Sequence, residues 1–174
     1  MEFRRKFGFL TFCHHLLLTI SFFCLQFGVS RDTITAHHSM EGSETILSNL
    51  QNVKMEFFRP ENSTKYYVGI MLNVPAWGST AVIWVANRNK PMNDSRGSMG
   101  ISEDGNLVVW DGEKRVVWST SKYNISTDSS PANITAQLLD SGNLVLKDSS
   151  SGRYLWTSFF DMSCASRNRG GYIQ

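Results

Sequence analysis

The chain has 174 residues, 41% of them hydrophobic and 18% charged, proportions of one globular domain rather than of a disordered tail or a two-domain enzyme. Lys and Arg number 17 against 15 Asp and Glu, and 14 of each sign remain once the basic start Arg4-Arg5-Lys6 and Glu2 are set aside. A neutral chain without a basic stripe has no electrostatic reason to bind nucleic acid or an anionic membrane.

Residues 1–30 read as a secretory signal peptide. A cationic start at Arg4-Arg5-Lys6 leads into an apolar run, clearest from Leu16 to Phe27, and the run ends on the small residues of Gly28-Val29-Ser30. His14 and His15 cut that run to 12 residues, short of the ~20 that a membrane helix needs. An uncleaved signal anchor, counted from Phe7, is the competing reading. The expected product is secreted and extracellular, with a plasma-membrane location only if the segment stays uncleaved. Cys13 and Cys24 leave with the leader, so Cys164 is the one thiol of the mature chain. It pairs between molecules, or, as favoured here, its partner belongs to sequence this chain lacks. In a secreted chain the Asn-x-Ser/Thr sequons at Asn62, Asn93, Asn124 and Asn133 become glycosylation sites and demand exposed loops.

From residue 31 onward the organisation is a repeat. Tyr66-Tyr67-Val68-Gly69-Ile70 leads through a loop to Val82-Ile83-Trp84-Val85-Ala86-Asn87. Gly105-Asn106-Leu107-Val108-Val109-Trp110 is followed by a polar turn and Val116-Val117-Trp118-Ser119-Thr120. Gly142-Asn143-Leu144-Val145-Leu146-Lys147 returns after 37 residues and leads to Tyr154-Leu155-Trp156-Thr157-Ser158. Trp84, Trp118 and Trp156 recur at spacings of 34 and 38, so three units each close on a tryptophan strand. Within a unit the period is two: Leu107 and Val109 point one way, Asn106, Val108 and Trp110 the other. Leu144 and Leu146 likewise oppose Asn143, Val145 and Lys147. Short β-rich runs between Asp-Gly and Ser-Gly turns predict an all-β fold. The three tryptophans are its expected core, contributing on the order of 15 kcal/mol of gross burial.

At these residues the chain resembles the bulb-type, mannose-binding lectin domain of plant S-locus glycoproteins and G-type lectin S-receptor-like serine/threonine kinases. Asp32-Thr33-Ile34-Thr35, Phe57-Phe58-Arg59-Pro60, Trp84-Val85-Ala86-Asn87-Arg88 with Pro91, Asp104 to Val108 and Gln137 to Leu146 carry the likeness. The resemblance implies a β-prism II, three four-stranded sheets about a pseudo-threefold axis, with the lectin domain over 31–159. It also implies a mannose site of the pattern Gln-x-Asp-x-Asn-x-Val-x-Tyr on each sheet. Every second residue of such a strand faces outward, presenting amide, carboxylate and amide in a row to sugar hydroxyls. The second unit reads Ser102, Asp104, Asn106, Val108 and Trp110, keeping the Asp, Asn and Val but replacing the first amide and the phenol. The third reads Leu139, Ser141, Asn143, Val145 and Lys147, where Asn143 and Val145 match and Asp140 is displaced by one residue. The upstream unit has no recognisable site. Asp-Gly-Asn is also a good turn entering a strand, which would make Asp104 and Asn106 structural.

Receptor-type members of the family continue into an Asp-Tyr-Pro-Thr-Asp-Thr-like stretch, EGF-like and PAN modules, a membrane span and a kinase. Here Phe160-Asp161-Met162-Ser163-Cys164 diverges, and 160–174 reads as a disordered tail. The expectation is a prism incomplete at its C-terminus, with an exposed strand edge that invites self-association. No kinase motif is present, so no enzyme activity, catalytic residue or cofactor is expected. His37 and His38 are adjacent and point apart on a strand, a poor metal pair, and no metal site is expected. The favoured function is weak binding of a mannose-type glycan or glycoprotein. The alternatives are a sugar-independent partner of a receptor-kinase ectodomain, in a recognition or decoy role, and a degenerate truncated gene product.

Overall fold

Strand-forming alternation settles into twelve short strands in the computed structural model, which describes residues 31–73, 81–120 and 130–160. The expected signal peptide, Asn124, Cys164 and the tail after Phe160 lie outside the described residues. Three antiparallel meanders follow one another. The first is β4 (Val53–Phe58), β5 (Tyr67–Leu72) and β6 (Val82–Val85); the second is β7 (Ser98–Ile101), β8 (Leu107–Trp110) and β9 (Val116–Ser119); the third is β10 (Ile134–Leu138), β11 (Leu144–Asp148) and β12 (Tyr154–Thr157). The fourth strand of every sheet comes from the N-terminal ribbon, β1 (Thr33–Thr35), β2 (Met40–Glu41) and β3 (Thr45–Leu47). The sheets run β3-β4-β5-β6, β2-β7-β8-β9 and β1-β10-β11-β12, so the ribbon visits the third sheet, then the second, then the first.

Each ribbon strand drives one side chain into the core. Ile34, Met40 and Ile46, spaced six residues apart, are buried to 1% exposure or less and face Ala136, Met99 and Met55 across the register. The expectation of missing final strands is therefore corrected. The third sheet has its four strands, because β1 lies antiparallel beside β10 and supplies the edge that residues after Phe159 were expected to supply.

The threefold plan holds in the backbone as well as in the core. Trp84, Trp118 and Trp156 pair with Ile70, Val109 and Leu146, and in each unit the register shifts at the next residue of the middle strand. The three indoles meet edge to face, with centroids 5.5 Å (Trp84–Trp118), 5.7 Å (Trp84–Trp156) and 5.5 Å (Trp118–Trp156) apart. Such geometry adds about 0.5–1.5 kcal/mol per pair beyond the area buried. The second and third units share one hairpin turn. Ser102 and Asn106, and likewise Leu139 and Asn143, are joined amide to carbonyl at 2.9 Å, and Gly105 and Gly142 sit at φ +78° and +83°. A side chain at either position would be strained in that left-handed backbone.

Candidate functional site

The register makes the outward positions of the three sheets comparable. Gly69, Val108 and Val145 occupy one equivalent place on the middle strands, opposite Glu56, Gly100 and Gln137 on β4, β7 and β10. The cores beneath are alike, whereas the outer faces are not.

On the first sheet Phe58 covers the glycine. A Cβ built at Gly69 would meet Phe58 Cε1 at 2.6 Å, and Phe58 also packs on Tyr67 with centroids 5.9 Å apart. Lys54 and Glu56 are paired at 2.7 Å beside it.

On the third sheet a chain of polar groups crosses the face. Lys147 Nζ donates to Gln137 Oε1 at 2.7 Å, Gln137 Nε2 donates to Asp32 Oδ2 at 2.7 Å, and Thr33 Oγ1 donates to Asp32 Oδ1 at 2.6 Å. Burial pushes the Asp32 carboxyl up, but the Thr33 and Gln137 bonds and the Lys147 charge outweigh it and hold the group below its usual value. Val145 is fully buried. Asp140, one residue out of step with the family row, has another use: its carboxylate accepts the Leu50 amide at 2.7 Å and its carbonyl accepts Asn52 Nδ2 at 3.0 Å. It clamps the third unit's turn to the first unit.

The second sheet keeps the polar residues of its row, but Ser102, Asp104 and Asn106 lie in the turn between β7 and β8 and only Val108 and Trp110 on the strand itself. Ser102 Oγ lies within hydrogen-bonding reach of Asp104 Oδ1 and, at 2.9 Å, of the Asn106 carbonyl. Asn106 Nδ2 donates to Asp104 Oδ2 at 2.8 Å. The Ser102 hydroxyl, helped by Asn106, holds the exposed Asp104 carboxyl below its ordinary value against the effect of burial. Val108, on the side of β8 away from the core residues Leu107 and Val109, is buried like Val145, and Trp110 beyond it is half-buried.

Asn106 and Asn143 also do a structural job that the sequence pattern did not disclose. Asn106 Oδ1 accepts from Thr120 Oγ1 at 3.1 Å, and that hydroxyl accepts the buried Leu107 amide at 3.0 Å. Asn143 Oδ1 accepts from Ser158 Oγ at 3.1 Å, and Ser158 Oγ accepts the Leu144 amide at 3.0 Å. In the first unit Asn87 Oδ1 takes the equivalent Val68 amide directly, at 2.8 Å. One buried amide per unit is thus satisfied by a polar side chain just after the tryptophan strand. The recurrence of Trp84/Asn87, Trp118/Thr120 and Trp156/Ser158 was the available signal, obscured by its change of residue type.

Of the expected glycosylation sites, Asn62, Asn93 and Asn133 are exposed. Asn93 Oδ1 accepts from Lys65 Nζ at 2.7 Å, and Asn133 ends the 3-10 turn Pro131–Asn133. Among those residues no cluster of His, Cys, Asp or Glu is arranged to hold a metal ion, and no helix is long and apolar enough to cross a membrane.

Three four-stranded sheets packed around a tryptophan triad, each turning a distinct middle strand outward, define a β-prism lectin domain. Comparison with known proteins agrees. Residues 81–165 match the family described as D-mannose binding lectin. Two G-type lectin S-receptor-like serine/threonine-protein kinases of Arabidopsis thaliana are 47% identical over 143 residues and 42% identical over 147, covering 82% and 83% of this chain. A monomeric monocot mannose-binding lectin from Gastrodia elata shares the fold, with a TM-score of 0.51, 18% identity and coverage of 73% of this chain and 96% of that one. The Marasmius oreades lectin superposes equally well, with a TM-score of 0.51, 14% identity and coverage of 74% and 90%. The chain belongs to the bulb-type lectin domains of the G-type lectin S-receptor-like kinase family. It spans 17% of the length of those two kinases, and the matched part is the lectin domain and not the kinase region.

Proposed function

We propose that this chain is a secreted, glycosylated recognition module that binds a mannose-type glycan or glycoprotein weakly, through the outer face of the second sheet. The observation that carries the reading is the contrast among the three described faces. Phe58 closes the first and the Lys147–Gln137–Asp32 chain spans the third, while the second presents an exposed carboxylate in the turn before β8 and a half-buried indole at the end of that strand. In this reading Asp104 accepts sugar hydroxyls, Asn106 positions it and offers its second amide hydrogen, the buried Val108 backs the row from beneath, and Trp110 replaces the family's phenol. Residues 1–30 act as the signal peptide, 31–159 as the lectin domain and 160–174 as a divergent tail. Glycans at Asn62, Asn93, Asn124 and Asn133 complete the glycoprotein.

Two of the family's five contacts are changed. At about 1 kcal/mol net each, that costs roughly thirtyfold in affinity relative to an intact row. A glycan array of the mature protein tests the reading. Mannose-competable binding that falls at least tenfold in Asp104→Asn supports it, and an array without a mannose-competable signal refutes it. A second reading, sugar-independent capture of a receptor ectodomain, draws on Val82, Val116 and Tyr154. These apolar side chains are 47%, 49% and 58% exposed at equivalent places two residues before each core tryptophan. Ectodomain capture that free mannose does not compete is its signature.

A further inference from the structure

The outer face of the second sheet extends sideways beyond the Asp104 row. Across β2, β7 and β8 the registers Glu41↔Ser98 and Ser98↔Trp110 set a carboxylate, a hydroxyl and an indole side by side. Neighbouring side chains on such a row stand about 5 Å apart. Beside them Gly100 leaves a gap. A Cβ there would lie 3.1 Å from Ser39 Cβ and 3.2 Å from Trp110 Cζ3, so the bare glycine is what lets the indole lie across β7. The third sheet carries Gln137 at the same place. Next to the indole opens a polar depression of about 330 Å³, walled by His37, Ser39, Glu41 and Lys114. That size is at the lower end of small-ligand sites and suits one sugar ring. Ser39 Oγ donates to Glu41 Oε1 at 3.0 Å, which fixes the carboxylate in the wall of the depression. The wall at 37–41 comes from the N-terminal ribbon, outside the stretch 81–165 that matches the lectin family.

We infer that this groove is a second sugar subsite, which takes a neutral hexopyranose linked to the one held on the Asp104 side of Trp110. The inference rests on the lectin reading above. Trp110 is shared: its position ends the Asp104 row and its ring floors the groove. A pyranose turns an apolar C–H face to the indole, and two of its hydroxyls then reach Glu41 and Ser98. A hydroxyl donated to a carboxylate is among the stronger neutral-ligand contacts. Glu41 and Lys114 balance each other's charge in the wall, so the class is a neutral sugar in a linked chain.

Calorimetric titration of the full mature chain with methyl α-mannoside and with a linear mannotriose tests this. The trisaccharide is expected to bind at least tenfold tighter than the monosaccharide. Glu41→Gln, an exposed position, is expected to abolish most of that gain while leaving the methyl mannoside affinity within threefold. Gly100→Gln, which fills the gap with the third sheet's residue, should also remove the gain of the trisaccharide over the monosaccharide, and its fold is checked by circular dichroism. Equal affinity for the two sugars, or a gain that survives Glu41→Gln, overturns the subsite while the lectin reading stands. Binding of neither sugar by the unmodified chain overturns both.

Discussion

Replacing Thr120 with valine keeps the shape of a fully buried side chain and removes one hydroxyl. That hydroxyl accepts the Leu107 amide at 3.0 Å and donates to Asn106 Oδ1 at 3.1 Å. The valine leaves a buried backbone N–H without its acceptor, at about 1–3 kcal/mol, because water cannot reach it to compensate. Asn106 Oδ1 loses a donor as well, although Asn106 still holds Asp104 through Nδ2. The expected total is about 2–3 kcal/mol, offset in part by the apolar methyl gained. With a urea m-value near ~2 kcal/mol/M the midpoint should fall by roughly 1 M with no change in slope. Urea unfolding followed by tryptophan fluorescence measures this, and Thr120→Ser, which keeps the oxygen, should recover most of the loss. A Thr120→Val midpoint within about 0.2 M of the parent, or a Thr120→Ser variant no better than the valine, would refute the brace.

Two further expectations follow from the same coordinates. The Asp32 carboxyl is held low chiefly by Thr33, Gln137 and Lys147 acting against burial. A depressed carboxylate contributes stability that is fully present above its unfolded value, about 3.9, and is lost as pH falls through its lower folded value. Thermal melts at pH 6 and pH 3 should therefore show a drop that is smaller in Asp32→Asn; equal drops would disprove the assignment. Expression through a secretory host should attach glycans at the exposed Asn62, Asn93 and Asn133, so each Asn→Gln change should increase gel mobility by one glycan step, and three unshifted variants would contradict the glycoprotein reading.

Much of the core was legible in the sequence because burial imposes a period that substitution cannot hide. Trp84, Trp118 and Trp156 announced the axis, and Leu107/Val109 against Asn106/Val108/Trp110 gave the faces of β8. The two-residue contrast held in β11 as well, where Leu144 and Leu146 join the core. What stayed hidden was the partnership of strands far apart in the chain. Ile34, Met40 and Ile46 repeat every six residues, but strands of two or three residues are too short to show an alternation of their own. Their assignment to three different sheets depends on tertiary pairing, and for that reason the repeat alone does not disclose that the edge strand of the third sheet is β1, from the other end of the domain. The groove beside Gly100 was likewise invisible, since a glycine in a strand signals a gap without saying what lines it.

The contrast between core and face explains how one scaffold carries three unlike surfaces. Every residue that sets the prism points inward or sits at the strand ends: the tryptophans, the ribbon's Ile34, Met40 and Ile46, and the polar caps Asn87, Thr120 and Ser158 on equivalent amides. The outward positions bear little of that burden, so they diverge without loss of the fold. At one pair of cross-strand places the three sheets carry Glu56 with Gly69, Gly100 with Val108 and Gln137 with Val145. The first pair is roofed by Phe58, and the third is bridged to Lys147 and Asp32. The second alone sets an indole beside a bare glycine, Trp110 against Gly100. Under the proposed function, recognition is thus decided at a handful of surface positions on a threefold frame, and ligand specificity can change there while stability, held by the inward set, stays where it is.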